Sequence, residues 1–127
     1  MITYKLESEN LMRVDFEGQI VYNDIVNWLN TFAKIEDLPS SMNFIYDLRK
    51  SVLLIDMIKL IQITKKTEEV TSKLDLVRTV FLINETDVST YSMLFSFLDA
   101  NGKTFRKVFT NEEKAMHWLL YEGSVAS

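Results

Sequence analysis

Between residues 42 and 49 the chain reads Met42-Asn43-Phe44-Ile45-Tyr46-Asp47-Leu48-Arg49, an apolar run that ends on an acid and a base. A short, nearly unbroken apolar stretch is what a strand needs when both of its faces are covered. After Arg49 the chain leads toward a helix opening near Asp56. That places Asp47 and Arg49 at the carboxyl end of a central strand, where open α/β sheets usually keep their working surface.

The flanking segments set the order of elements. Residues 2–7 and 11–17 alternate, with Ile2, Tyr4 and Leu6 sharing one face and Met12, Val14 and Phe16 another, which predicts an antiparallel hairpin broken at Gly18. The period then changes. Over 22–37, Tyr22, Ile25, Trp28, Leu29, Phe32 and Ile35 fill one arc of a helix, closed by Pro39. Asp56 is placed to cap a helix over 57–70, with Lys59, Gln62, Lys66 and Glu69 on its wet side. Leu76–Asn84 is the strongest strand in the chain. Thr86 or Asp87 would cap a helix over 88–100 that stops at Asn101-Gly102. A last strand follows over 105–109, and Thr110 and Glu113 stand at capping-box spacing before a helix carrying Ala115, Trp118 and Leu119. The order is ββαβαβαβα, with residues 1–121 as one domain and 122–127 as a frayed tail.

Composition narrows the chemistry. The 127 residues are 47% hydrophobic and 25% charged, the mix of a globular protein with a real core. No apolar run approaches the ~20 residues of a membrane helix, and the first residues lack a signal-peptide layout, so a cytoplasmic address without a membrane span is expected. Without Cys, thiolate catalysis and thiolate metal sites are excluded, and one His makes an imidazole metal site improbable. A net charge of −4 with only scattered basic doublets argues against nucleic acid. No cofactor is expected.

That order of elements resembles the STAS domain, and especially its SpoIIAA-like branch. Ile45–Arg49, Val77–Ile83 and Val108–Leu119 carry the likeness, which covers the chain from about residue 2 to 120. The resemblance implies a mixed five-stranded sheet with helices mainly on one face. It also implies a regulatory module like the anti-sigma-factor antagonists, in which a Ser after an Asp at the start of the second helix is phosphorylated by a partner kinase. Here that segment is Ile55-Asp56-Met57-Ile58, with no Ser, Thr or Gly; Ser51 lies several residues early. Asp56 is read as an N-cap, or as a fixed negative charge at a helix start.

For Asp47 with Arg49, a phospho-acceptor reading lacks the paired acids of receiver domains, and local pairing of the two is the expected role. His117 falls away from the Ala115/Trp118/Leu119 face and is expected in solvent. No catalytic or metal site is expected. In the helix over 88–100, Met93 and Phe97 project opposite the core stripe, either as a contact surface or under a covering loop. The expected function is non-enzymatic binding of a protein partner or a second copy, as a homodimer, through Asp47, Arg49, Ser51, Asp56, Met57, Met93 and Phe97. The alternative is a carrier of a small apolar, lipid-like molecule of CRAL-TRIO character, since eight Phe and six Met make a soft interior.

Overall fold

Five strands form one sheet in the order in which they occur along the chain: β1 (Ile2–Ser8), β2 (Leu11–Ile20), β3 (Ser41–Leu53), β4 (Leu76–Leu82) and β5 (Thr104–Phe109). This computed structural model describes residues 1–87 and 104–122. The predicted helix over 88–100, and with it Met93 and Phe97, lies outside the described residues.

β1 and β2 are the expected hairpin. Their register pairs Ile2 with Phe16, Tyr4 with Val14 and Leu6 with Met12, so the two apolar sets lie on the same side of the sheet rather than on separate faces. β2, β3, β4 and β5 run parallel to one another. Parallel neighbours need a crossover. Helix α1 (Tyr22–Ala33) makes the first and α2 (Met57–Val70) the second. The two pack against each other, and Lys59 Nζ sits 4.6 Å from the centre of the Tyr22 ring.

The sheet is covered on both sides. On one face, Met12, Val14, Phe16, Phe44 and Val77 pack against Ile25, Trp28, Leu29 and Phe32 of α1 and against Leu48 and Leu74. Trp28 and Phe32 are each nearly fully buried, which contributes roughly 2–3 kcal/mol per side chain. On the other face, Leu11, Ile45, Val80 and Leu82 meet Ala115 and Leu119. These come from helix α3 (Glu112–His117) and the π-helical turn Trp118–Glu122 that continues it. His117 is exposed, as the helical wheel requires.

Four local features depart from the sequence reading. β2 does not stop at Gly18; that glycine adopts φ +77 within the strand, which then runs on to Ile20. β3 does not run out at Leu48-Arg49. It continues to Leu53, paired with β2 alone after an irregularity in register between Asp15 and Glu17. A strand segment with one neighbour and wet faces needs no continuous apolar run, so Arg49-Lys50-Ser51 hid it. α1 ends at Ala33 rather than 37. Lys34 caps it, and Asp37 at φ +62 turns the chain so that Ile35 and Leu38 pack back on the core. Finally, Asn111 rather than Thr110 caps α3, its Oδ1 accepting the Lys114 N–H at 3.0 Å.

Candidate functional site

β3 and β4 part company at Asp47, whose partner Leu82 is the last residue of β4. Past that point the backbone carbonyl of Arg49 accepts from Asn84 Nδ2 at 2.9 Å, so β3 is still tethered to the chain leaving β4. Asp47 thus sits at the carboxyl end of the shared sheet although it lies inside its own strand. Strand alternation points Asp47 and Arg49 to the α3 side, together with Arg13 and Asp15 of β2.

These side chains form one ion-pair network. Arg49 forks onto Asp47, with Nε to Oδ1 at 2.9 Å and Nη2 to Oδ2 at 2.7 Å, and its backbone N–H reaches Oδ1 at 3.1 Å. Arg13 Nη2 donates to the same Asp47 Oδ2 at 2.7 Å. Arg13 also donates to Asp15 Oδ1 at 3.1 Å and to Glu112 Oε1 at 2.8 Å, while Arg49 Nη2 lies 3.3 Å from that same Glu112 oxygen. The network therefore ties the sheet to the first turn of α3.

The electrostatics follow from that geometry. Burial by itself raises the Asp47 carboxyl, but the hydrogen bonds from Arg49 and the charges of Arg49 and Arg13 outweigh it and hold the group below the usual carboxylate range. A carboxylate so held is a fixed acceptor rather than a proton donor near neutrality. A depression of about 300 Å³ lies beside it, lined by Arg13, Asp15, Glu17, Asp47, Arg49 and Lys50. Its two guanidiniums already hold carboxylates.

The next turn of the chain is different in character. Asp56 is the N-cap of α2, its Oδ1 accepting the Lys59 N–H at 2.8 Å. Ser51 is half-buried, and its hydroxyl donates to the Leu48 carbonyl at 2.9 Å. Around them, apolar side chains face outward: Val52 is 57% exposed and Ile58 69%, with Leu54, Met57 and Ile61 also exposed. Val21 joins them from the end of β2, where Leu54 N–H donates to the Ile20 carbonyl at 2.8 Å. Met57, Ile58 and Ile61 share the outer side of α2, and grouped exposed apolar residues mark a contact surface more often than scattered single ones do.

A third feature lies inside. Between α1, α2 and the sheet is an apolar cavity of about 100 Å³, with Trp28, Phe44, Tyr46 and Phe81 among its walls. Trp28 Nε1 donates to the Tyr46 hydroxyl at 3.3 Å. Burial pushes the Tyr46 phenol up to about 12, against the opposing influence of the Trp28 hydrogen bond and the Arg106 charge.

The structure brings Asp47, Arg49 and Ser51 together with Arg13, Asp15 and Glu112, and it sets Asp56 and Met57 in the neighbouring apolar patch. Arg13 and Glu112 escaped the sequence reading because their contacts span 34 and 99 residues. One signal was available. Parallel pairing of β2 with β3 sets Asp15 beside Asp47, and two adjacent carboxylates require cations. Among the described residues no group of His, Cys, Asp and Glu has a metal-holding arrangement, and no helix is long and apolar enough to cross a membrane.

No family model and no curated protein matches the chain. Solved structures do. The anti-sigma factor antagonist SpoIIAA in its unphosphorylated form matches with a TM-score of 0.57 at 11% identity, over 94% of this chain and 97% of that one. An uncharacterized protein of the DUF3478 family from Shewanella loihica PV-4, with a SpoIIAA-like fold, gives 0.60 at 10% identity, over 94% and 92%. The Bacillus cell fate determinant SpoIIAA in its phosphorylated form gives 0.53 at 11% identity, over 94% and 99%. At such identities the likeness concerns architecture alone. The fold of this chain is that of the SpoIIAA-like, STAS-type α/β domains.

Proposed function

We propose that the chain is a non-enzymatic regulatory module that binds a protein partner through the carboxyl end of β3 and the first half of α2. The exposed apolar side chains Met57, Ile58 and Ile61 of α2, with Val52 and Leu54 just before that helix, carry this reading. Val52 alternates with the packed Leu53 at the end of β3, Leu54 follows the strand, and α2 turns Leu60 inward while Met57, Ile58 and Ile61 face out. Leaving that much apolar surface wet offers the fold nothing, whereas covering it on association returns roughly 25 cal/mol per Å² of apolar area. The SpoIIAA structures supply the analogy of an anti-sigma factor antagonist.

Regulation differs from that of a phosphorylated antagonist. The helix start carries Asp56 as its cap, where the family resemblance expects a phosphorylated Ser nearby, and the Ser51 hydroxyl is engaged with Leu48. A carboxylate cap that no kinase can modify makes binding at this helix start independent of phosphorylation there.

A photo-crosslinking amino acid at position 58, compared with one at Lys34 beyond the end of α1, tests the surface in cells. The expected result is a discrete crosslinked species from position 58, absent from position 34 and lost when Leu54→Asp is added. Equal crosslinking from both positions, or none from 58, overturns the reading. A species of twice the chain mass identifies a second copy as the partner.

A further inference from the structure

The cavity between the helices and the sheet is independent of the surface patch, and its chemistry is more specific than its apolar walls suggest. The Phe44, Tyr46 and Phe81 rings form a stacked row, with centroids 6.1 and 5.5 Å apart and planes within 20° and 21° of parallel. Phe16 meets Tyr46 edge-on at 5.9 Å, and Trp28 and Phe32 stand above from α1. This aromatic floor and its aromatic walls combine the offset-stacked and edge-to-face contacts that another ring can join.

Two hydroxyls on this floor have capacity to spare. Tyr46 accepts from Trp28, yet among the described residues nothing accepts the phenol's own proton. Thr79, only 5% exposed and lining the same cavity, makes no side-chain hydrogen bond among the described residues. By contrast, the wall threonines Thr64 and Thr67 are spent on the helix carbonyls of Leu60 and Ile63. The Tyr46 oxygen is already satisfied by Trp28, so what it offers a guest is one further hydrogen bond, worth about 0.5–1.5 kcal/mol. The burial that raises the Tyr46 phenol to about 12 keeps it protonated and able to donate.

We infer that this cavity binds a small, flat, uncharged molecule no larger than a single six-membered ring that carries one hydrogen-bond acceptor, which the Tyr46 hydroxyl engages. The size follows from the volume: an apolar cavity of roughly 150 Å³ accommodates benzene, whereas sites for larger ligands run to about 300–1,000 Å³. At about 100 Å³ the space is smaller than both, so a single ring is its upper bound and a long acyl chain is excluded.

Benzene and pyridine are isosteric and differ by one acceptor, so they form the test pair, at a pH well above the pyridinium range. The readout is the indole N–H resonance of Trp28, which bonds to Tyr46, with Trp118 as an internal reference. Both ligands are expected to shift the Trp28 resonance saturably and leave Trp118 in place. In Tyr46→Phe the preference for pyridine relative to benzene should fall by about fivefold, the worth of one hydrogen bond, while benzene binding persists and shows the cavity intact. Ile63→Phe fills the space and should abolish both. The inference is overturned if neither ligand saturates, if the pyridine-to-benzene ratio is unchanged in Tyr46→Phe, or if Ile63→Phe binds both as before.

Discussion

Asp47 organises the polar side of the sheet, because both guanidiniums of the network converge on its carboxylate. Replacing it with Asn keeps the shape and leaves the more exposed Glu112 as the only counter-charge that Arg13 and Arg49 share among the described residues. The expected loss at neutral pH is about 1–3 kcal/mol, the range for hydrogen bonds to charged groups. The pH dependence has a definite sign. The folded-state pKa of Asp47 lies below the unfolded value of about 3.9. Its stabilisation is therefore present above about pH 4 and is lost as pH falls through the folded value. Urea unfolding at a series of pH values should show wild type and Asp47→Asn converging in acid; a gap that persists well below pH 3 would assign the effect to packing. The pairing of Asp47 with Arg49 was legible in the sequence, since residues two apart in a strand share a face. Arg13 and Glu112 were not, because only the parallel pairing of β2 with β3 and the docking of α3 bring them in.

At the scale of elements, the strands and helices that carry continuous periodicity were readable, and the errors fall where local chemistry overrides the period. α2 over 57–70 was predicted with the ends it has, because Asp56 supplies a cap and the pattern behind it is regular. β2 and β3 were each read too short, at Gly18 and at Arg49-Lys50-Ser51. The two misreadings share a cause: the ends of both strands pair with each other, outside the part of the sheet that packs on both faces. Gly18 makes that extension testable. Nothing lies within 4 Å of a Cβ built there, so Gly18→Ala meets no steric clash and its cost is the left-handed backbone alone. That cost should be about 1–2 kcal/mol, visible as a lower urea midpoint at unchanged slope. Gly18→Asn, which tolerates φ > 0 better, should lose less. Equal behaviour of the two variants would mean that the strand end rearranges to relieve the glycine.

Across the whole molecule, the sheet separates what holds the protein together from what it presents. Both faces are closed by helices, and the second face depends on a short one: Ala115 and Leu119 are the side chains from α3 and its π-turn that reach Leu11, Ile45, Val80 and Leu82. Met116 and Trp118 pack at its margin, so Leu119→Ala removes one fully buried side chain from that contact and should cost about 2–5 kcal/mol, the range for a large-to-small change in a core. Ile58 is no less apolar, yet 69% of it is exposed, so Ile58→Ala should stay within about 0.5 kcal/mol of wild type in the isolated protein. The composition treats the two residues alike, and only the placement of α2 and α3 on opposite faces distinguishes them. Thermal unfolding of the two variants side by side measures that distinction. If Ile58→Ala unfolds as early as Leu119→Ala, the isolated chain already covers its own patch and the surface is not available to a partner. If only Leu119→Ala falls, the apolar surface on α2 is maintained at no benefit to folding, which is what a binding face requires.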